Sequence, residues 1–454
     1  MALFLLFSTL TLLILLSMAV FSDQQPLLNS AEQEAVYRVL HSINSAIPWR
    51  DDFPDNLCIS APHGVVCETS SDESNGMDTE TAHIVELSFG YVSDFNPNPP
   101  CSPNATFNPL LFTSFKYLRK LFFYKCFNES QVSVPDVSPS FGYTLEELVF
   151  IDNPSLVGSL SGIIRNFTSL RRLVLTGNGV YGEMPEETGN FVNLEEITLS
   201  RNQLAGELPG TLAMLKKLEV LDLSQNHFEG CVPELMGNLT KLLKLDLSSN
   251  GFGCKIPETF RHLQRLEFLD LSFNHFGNFG IPMFLGEMPR LKEVYLSGNL
   301  LGGQIPEIWK NLEGVARIGF SNLGLIGNIP TSMGIYLRNL SYLGLDNNKL
   351  EGSVPQEFGL LQFADEINLE NNNLSGRVPF STKVGEKLKL AGNTGLCVDA
   401  KLNYTKNRST SRQLKLCNKP DIPNAVIFNG VSLLLFYPHV LFFSLGFLFV
   451  FTGL

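Results

Sequence analysis

One motif recurs at a fixed spacing between Arg172 and Pro257, and it limits the possible folds more than any other feature of the chain. In four successive copies the order is (L/I)-x-L-x-x-N-x-(V/L/F)-x-G-x-(aliphatic)-P, with Cys254 in place of the last glycine. The four asparagines are 24 residues apart. A fixed period of this length predicts a solenoid in which each copy forms one turn.

The residue types explain why the turns stack. The two leucines of each copy alternate with outward residues, as expected for a strand whose side chains point to opposite faces. One such strand cannot bury its own apolar face, so stacked turns build one parallel sheet over one continuous core. The asparagine amide both donates and accepts, and it can satisfy the backbone of its own turn and of the neighbouring turn.

The motif extends in both directions to about thirteen turns of about 4.8 Å each. Val85, Leu87 and Phe89 predict the first strand, and the segment 388–393 predicts the last. Cys126 and Leu323 stand in two of the asparagine positions, and Asn322 would need a local shift to reach that position. The predicted asparagine ladder is Asn153, Asn178, Asn202, Asn226, Asn250, Asn274, Asn299, Asn348 and Asn372.

The G-x-(aliphatic)-P ending resembles the extracellular leucine-rich repeats of plant receptor-like kinases, receptor-like proteins and polygalacturonase inhibitors. Three strings, at 101–106, 121–126 and 153–159, resemble the receptor-like proteins of the Piriformospora indica-insensitive and TOO MANY MOUTHS group, which lack a kinase domain. The resemblance covers roughly residues 84–396. It implies an α/β solenoid: a right-handed leucine-rich-repeat superhelix with a parallel β-sheet on the concave face and disulfide-bonded caps.

The amino-terminal part predicts export and a cap. Residues 1–22 are apolar and predict a signal peptide, with an uncleaved anchor as the alternative. Residues 23–83 predict a cap whose helix starts with a capping box at Ser30 and covers the first turn, followed by a solvated loop at 68–83. The long segment 90–117 is either a functional loop or a cap loop fixed by a disulfide.

The carboxy-terminal part predicts a cap and an anchor. Residues 397–424 form a cap and a basic stalk beside the membrane, and residues 425–454 contain no Asp, Glu, Lys or Arg. Such a tail is typical of a glycosylphosphatidylinositol signal or of a single transmembrane span, and secretion is the third possibility. The expected location is the extracellular face of the plasma membrane.

The eight cysteines predict local disulfides in an exported chain. The spacings predict Cys58–Cys67, Cys101–Cys126 and Cys231–Cys254, and the resemblance implies a capping pair, Cys397–Cys417. None of the eight has a histidine at metal or nucleophile spacing, so we predict no enzyme, no catalytic or metal site and no cofactor.

Glycosylation and charge also limit the partners. The formal net charge of −12 makes nucleic acid an improbable ligand. The sequons predict a glycoprotein, and they lie at Asn104, Asn128, Asn166, Asn238, Asn339, Asn373, Asn403 and Asn407.

The outward strand positions predict the partner surface. Asp222, Asp246 and Asp270 form a column that suits a basic or hydroxylated peptide. The alternative is that these aspartates have no role in binding, because L-D-L-S is the commonest sequence at this position of the repeat. A set of aromatic residues lies on adjacent turns and is the kind of residue that dominates binding surfaces. Its members are Phe268, Phe273, Tyr295 and Tyr342.

Three functions follow. The first is a receptor-like protein in plant defence, symbiosis or development that binds a peptide, a glycan or a receptor-kinase ectodomain and signals through a separate kinase. The second is an inhibitor of microbial wall-degrading enzymes, which resembles the polygalacturonase inhibitors but is disfavoured by the apolar tail. The third, a structural wall protein, is disfavoured because proline-rich arrays are absent.

Overall fold

The computed structural model describes residues 27–60, 64–71, 80–90, 98–135, 137, 142–380, 384–398 and 414–417. The predicted signal peptide, the apolar tail, most of the stalk and the sequons at Asn403 and Asn407 lie outside these ranges. Among the described residues, no helix is both long enough and apolar enough to cross a bilayer.

The described residues form three sheets. The strands are β1 Val65–Ser71, β2 Glu80–Phe89, β3 Lys120–Tyr124, β4 Val132–Ser133, β5 Glu147–Ile151, β6 Leu156–Ser159, β7 Arg172–Thr176, β8 Gly179–Gly182, β9 Glu196–Thr198, β10 Gln203–Gly206, β11 Val220–Asp222, β12 His227–Cys231, β13 Lys244–Asp246, β14 Gly251–Gly253, β15 Phe268–Asp270, β16 Glu293–Tyr295, β17 Arg317–Gly319, β18 Ile326–Asn328, β19 Tyr342–Gly344, β20 Lys349–Gly352, β21 Glu366–Asn368, β22 Asn373–Arg377, β23 Leu388–Lys389, β24 Gly395–Val398 and β25 Lys415–Leu416.

The largest sheet lies on the concave face and has 14 strands in the order β1-β2-β3-β5-β7-β9-β11-β13-β15-β16-β17-β19-β21-β23. Its strands from β2 onwards pair in parallel, one per turn, which confirms the predicted solenoid. Two shorter sheets run along the flank, one of six strands from β4 to β14 and one of five strands from β18 to β25.

The first strands correct one prediction. β1 and β2 form an antiparallel hairpin with Ser71 opposite Glu80, so the ends of the segment 68–83 are strand and not solvated loop. The residues there are polar because a strand at the end of the sheet has one face open to water.

Short helices close the outer side of each turn. Most are single 3-10 turns, which suit the few residues between a proline and the next strand. The 3-10 helices are Pro109–Phe112, Glu186–Asn190, Gly210–Met214, Glu234–Asn238, Glu258–His262, Met283–Glu287, Trp309–Asn311, Gln356–Leu360 and Gly385–Lys387. The α-helices are α1 Ser30–Ile43, α2 Trp49–Asp52, α3 Leu57–Ser60, α4 Leu160–Ile164 and α5 Thr331–Tyr336.

The core is continuous along the solenoid. Both leucines of each motif are buried, and behind them Phe228, Phe252 and Phe276 stack with ring centroids 6.1 and 6.5 Å apart. These rings come from successive turns, so each turn buries its apolar face against its neighbours, as the repeat requires.

The asparagine ladder makes the predicted backbone bonds. Asn226 donates from its amide nitrogen to Leu199 O and Leu223 O at 2.9 and 3.1 Å, and its amide oxygen accepts from Leu204 N at 3.1 Å. One side chain therefore satisfies backbone groups of two neighbouring turns, and Asn393 extends the pattern to the last turn.

The turn that contains Leu323 has leucine in the ladder position, where most turns have asparagine. Leu323 is buried, whereas Asn322 is exposed with a φ of 54° and does not shift into the slot. The neighbouring Asn348 compensates, because its amide oxygen accepts from both Leu323 N and Leu325 N at 3.0 Å.

The amino-terminal cap covers the first turn, as predicted, but the helix start differs by one residue. Asn29 and not Ser30 is the N-cap, with its amide oxygen accepting from Ala31 N at 2.9 Å. Val36, Val39 and Ile43 are buried against the sheet end.

The segment 98–117 is part of the core. Phe107, Phe112 and Phe115 are buried, and the ring of Phe107 packs 5.1 Å from that of Phe123 on β3. The cap-loop interpretation therefore describes these residues better than the functional-loop interpretation does.

Disulfides connect neighbouring elements at the predicted cysteines. The Cα–Cα distances are 5.6 Å for Cys58–Cys67, 4.9 Å for Cys101–Cys126 and 5.4 Å for Cys231–Cys254. Cys397 and Cys417 are also disulfide-bonded.

Candidate ligand-binding face

Two columns of outward side chains run across the middle of the concave sheet. In the first column Lys244, Phe268, Glu293, Arg317 and Tyr342 occupy paired positions on β13, β15, β16, β17 and β19. The second column, in the predicted register, is Val174, Thr198, Asp222, Asp246, Asp270, Tyr295, Gly319 and Gly344.

Two of the three aspartates, Asp222 and Asp246, share one lysine. Lys244 Nζ lies 2.6 Å from a carboxylate oxygen of Asp222 and 3.9 Å from one of Asp246. Asp246 and Asp270 each accept hydrogen bonds from the serine two residues later in the chain, which fixes the orientation of the carboxylate. Within the described residues, Asp270 has no ion pair.

Burial disfavours the ionised form of Asp246 and Asp270. Desolvation, followed by repulsion from Asp222, raises the pKa of Asp246 to about 6, although the hydrogen bond from Ser248 opposes the shift. Desolvation also raises the pKa of Asp270. The column therefore holds carboxylates whose charge is poorly compensated, and a bound cation would stabilise it.

The aromatic side chains border this column. The rings of Phe268 and Tyr295 lie 5.8 Å apart, and Lys244 Nζ lies 5.4 Å from the Phe268 ring centroid. Lys244 thus lies between a carboxylate and an aromatic face, which is a favourable place for a cation.

Arg317 joins the two tyrosines. Its Nε donates to Tyr295 Oη at 2.7 Å, and its guanidinium lies 5.1 Å from the Tyr342 ring centroid. Tyr295 Oη in turn donates to Glu293 at 2.7 Å. Burial, followed by this bond to Glu293, raises the pKa of Tyr295 to about 12, so the hydroxyl stays protonated.

We call this assembly the aromatic–acidic patch. It consists of Asp222, Lys244, Asp246, Phe268, Asp270, Glu293, Tyr295, Arg317 and Tyr342. Lys244 was not predicted from the sequence as a site residue, although counting 24 residues back from Phe268 places it in the same column.

One predicted aromatic residue lies elsewhere. Phe273 is 63 % exposed at the turn after β15, with a φ of 54°, and its ring lies over Gly298 rather than on the strand face. The structure therefore brings Phe268 and Tyr295 together, joins Tyr342 to them through Arg317, and leaves Phe273 at the edge.

The amino-terminal half of the concave face has compensated charge. Glu86, Lys120, Glu147, Arg172 and Glu196 alternate in sign on paired positions of successive strands. Ion pairs join each to the next, at 3.9, 3.3, 2.7 and 2.8 Å. These side chains already bind one another, whereas in the acidic column of the patch, among the described residues, Asp222 alone has a close ion pair and Asp246 a distant one.

The described sequons leave the concave sheet bare. Asn104, Asn128, Asn238, Asn339 and Asn373 are exposed, and the amide nitrogen of the half-buried Asn166 donates to Val137 O. None of the six lies on a strand of the 14-stranded sheet, and Asn373 begins β22 on the flank.

The part of the chain that the structure describes contains no cluster of three or more His, Cys, Asp or Glu side chains able to hold a metal ion. The patch offers charge, aromatic surface and hydrogen-bond groups, which are the usual means of protein recognition.

Comparison with known proteins identifies the repeat. Residues 152–362 match the family model described as a leucine-rich repeat region. The chain is 33% identical over 140 residues to the Protein TOO MANY MOUTHS of Arabidopsis thaliana, which is 31% of this chain and 26% of that protein. It is also 33% identical over 161 residues to the Arabidopsis Piriformospora indica-insensitive protein 2, 35% of each. These matches span about a quarter to a third of the relatives' length.

Solved structures show the same fold. The ectodomain of the Arabidopsis receptor kinase GASSHO1/SCHENGEN3, in complex with CASPARIAN STRIP INTEGRITY FACTOR 2, aligns with a TM-score of 0.54 at 29% identity over 63% of this chain and 36% of that one. The Arabidopsis receptor kinase HAESA, in complex with the peptide hormone IDA and the co-receptor SERK1, aligns with a TM-score of 0.52 at 26% identity. This alignment covers 65% of this chain and 62% of that one. The chain therefore has the leucine-rich-repeat fold, and over about a third of its length it is similar in sequence to plant receptor-like proteins of the TOO MANY MOUTHS and Piriformospora indica-insensitive group.

Proposed function

We propose that the chain is a cell-surface receptor-like protein that binds an extracellular ligand on the aromatic–acidic patch and signals through a separate receptor kinase. The observation that carries the proposal is the patch itself, a cluster of half-buried aromatic rings beside poorly compensated carboxylates on a sheet face without sequons. Aromatic residues surrounded by polar groups dominate the energetics of protein recognition.

The comparisons support this choice of function. Two similar solved ectodomains are complexes with a peptide hormone or a named factor, and one of them includes a co-receptor. On this proposal the present chain recognises its ligand without catalysis, and a partner kinase carries the signal into the cell. Anchoring at the outer face of the plasma membrane places both proteins on one surface.

A paired substitution tests the proposal. The full chain carrying Phe268→Ala with Tyr295→Ala is expressed on plant cells, and the receptor kinases and peptides that co-purify with it are quantified by mass spectrometry. We expect capture to fall by at least about tenfold, since two adjacent anchors of an interface are removed.

The same sheet supplies a matched control. Phe122 and Tyr124 on β3 are also half-buried, with ring centroids 6.2 Å apart, but they lie outside the patch. The variant Phe122→Ala with Tyr124→Ala should capture its partners normally. If the control variant loses capture and the patch variant keeps it, the proposal is wrong, and thermal melting of both variants excludes misfolding.

A further inference from the structure

The chemistry of the patch indicates what kind of ligand it takes, and this inference rests on the proposed function. We propose that the ligand is a cationic peptide segment. The side chain of a lysine or arginine lies beside Asp270, and an apolar side chain two residues further along packs against Tyr295 and Tyr342.

The charges favour a cation. Three carboxylates lie on successive strands, and Lys244 pairs with Asp222 and more distantly with Asp246. Asp270, one strand further on, has no ion pair among the residues described. The local charge is therefore negative on the side of the column that faces the aromatic rings, and a ligand cation would complete the pairing.

Lys244 provides an internal example of the expected contact. Its ammonium lies 2.6 Å from Asp222 on one side and 5.4 Å from the Phe268 ring on the other. Asp270 on β15 lies two strands after Asp222 and pairs with Tyr295 on β16. The first-column residue on β16 is Glu293, so no lysine among the described residues takes the equivalent place beside Asp270. A ligand cation beside Asp270 would reproduce the arrangement that Lys244 has between Asp222 on the preceding strand and Phe268 on the following strand.

Two glycines shape the floor next to this position. A Cβ atom on Gly319 would lie 2.7 Å from the Tyr295 ring, and one on Gly344 would lie 2.7 Å from Tyr342 Oη. Because these positions lack side chains, both tyrosines lie low across the sheet. The surface beyond Asp270 is therefore flat and aromatic, and it suits the side chain of an extended ligand.

The spacing sets the ligand pattern. Neighbouring strands lie about 4.8 Å apart, and side chains on one face of an extended peptide recur about every 6.7 Å. A peptide crossing the strands with a cation at Asp270 therefore places its next side chain on that face between Tyr295 and Tyr342. The predicted pattern is Lys or Arg, any residue, then an apolar residue.

A neutral sugar fits the charges less well. Burial raises the pKa of Asp270, and burial with repulsion from Asp222 raises that of Asp246, so the ionised form of each carboxylate would be stabilised by a cationic partner. Hydroxyl groups would bond to the carboxylates without neutralising them, whereas an ammonium or guanidinium group would do both.

Defined peptides test the inference. Fluorescein-labelled Ser-Gly-Arg-Ser-Leu-Ser-Gly is titrated with the full chain and compared with versions in which glutamine or glutamate replaces arginine, or serine replaces leucine. We expect the arginine peptide to bind at least about tenfold more tightly than the glutamine peptide, as for loss of one charge-assisted hydrogen bond. The glutamate peptide should bind weakest.

A protein variant completes the test. Asp270→Asn should remove most of the preference for arginine over glutamine. Asp365→Asn is the matched control, because the Asp365 side chain is 85 % exposed before β21 and is not a member of the patch, and it should leave the preference unchanged.

The outcomes separate the two proposals. Equal binding of the arginine and glutamine peptides, or an unchanged preference in Asp270→Asn, overturns the cationic ligand. Tighter binding of a neutral oligosaccharide such as cellohexaose overturns it as well. If Phe268→Ala with Tyr295→Ala still abolishes capture of cellular partners, the proposed function stands and only the ligand chemistry is wrong.

Discussion

Asn250 shows how much of this fold depends on single amide side chains. Its amide nitrogen donates to Leu223 O, Leu247 O and Ser248 O at 3.0–3.2 Å, and its amide oxygen accepts from Phe228 N at 3.0 Å. Since the backbone groups of Leu223 and Phe228 belong to the preceding turn, the side chain joins two turns.

Replacing this amide should destabilise the solenoid. We expect Asn250→Ala to lower the free energy of unfolding by about 1–3 kcal/mol, because the backbone groups lose their partner. Asn328→Ala is the control, since Asn328 is exposed on β18 and should change stability by less than about 0.5 kcal/mol. Chemical denaturation of both variants measures the difference, and equal shifts would contradict the role of the ladder.

The raised pKa of Asp246 predicts that the stability of the fold depends on pH. Its folded pKa of about 6 lies above the ordinary value of 3.8, so the folded state binds more protons than the unfolded state between these values. The contribution of this group to the free energy of unfolding therefore falls as pH rises through that window.

The variant Asp246→Asn removes this titration. We expect it to be more stable than the parent by about 1–3 kcal/mol at pH 7.5, with the advantage disappearing below about pH 4. Melting curves at several pH values check this, with the exposed Asp365→Asn as control. A stability difference that stays constant with pH would show that the carboxylate does not titrate as the structure implies.

At the scale of the elements, the β12–β14 region combines a disulfide with an unfavourable backbone. Cys254 has a φ of 62° at the position where earlier turns have Gly182, Gly206 and Gly230. A residue with a Cβ atom is disfavoured in this conformation by about 1–2 kcal/mol. The bond to Cys231 on the preceding turn compensates, because a disulfide typically contributes about 2–4 kcal/mol.

Three variants separate the two effects. In a Cys231→Ala background, which has no bridge at this position, Cys254→Gly should be more stable than Cys254→Ala by about 1 kcal/mol. The parent protein should be more stable than either double variant. If the glycine variant is the less stable of the two, the backbone argument fails, whereas the bridge is tested independently by non-reducing peptide mapping.

For the whole molecule, the concave face divides into two halves with different electrostatics. Between β2 and β9 the charges alternate and pair with one another, so this half offers few free charges. Between β11 and β19 the carboxylates outnumber their cations, and aromatic rings replace the alternating charges. The patch therefore lies where the sheet has uncompensated groups.

Much of the arrangement of the concave face can be predicted by counting residues along the repeat. The period placed the outward residues of each strand, so the column from Val174 to Gly344 has the predicted register. The packing of side chains across strands does not follow from counting. It determines that Lys244 contacts Phe268, that Phe273 lies at the edge, and that Phe107 fills the core from a proline-rich segment.

The last prediction concerns the attachment of the molecule to a membrane. Residues 425–454 lie outside the described structure, and they contain no Asp, Glu, Lys or Arg over a length sufficient to span a bilayer. We expect the full chain to remain with plant plasma membranes after an alkaline carbonate wash, because burial of such a segment outweighs the cost of ordering it.

Phosphatidylinositol-specific phospholipase distinguishes the two forms of anchor. A glycosylphosphatidylinositol signal is removed before the anchor is attached, so the enzyme should release a protein that lacks the tail. A single span would stay in the membrane after this treatment and keep the tail. Mass spectrometry of the carboxy-terminal peptide decides between them, since a released pool that still carries residues 433–454 contradicts the lipid anchor. Complete removal by the carbonate wash alone would contradict both forms, because each holds the chain through hydrocarbon buried in the bilayer.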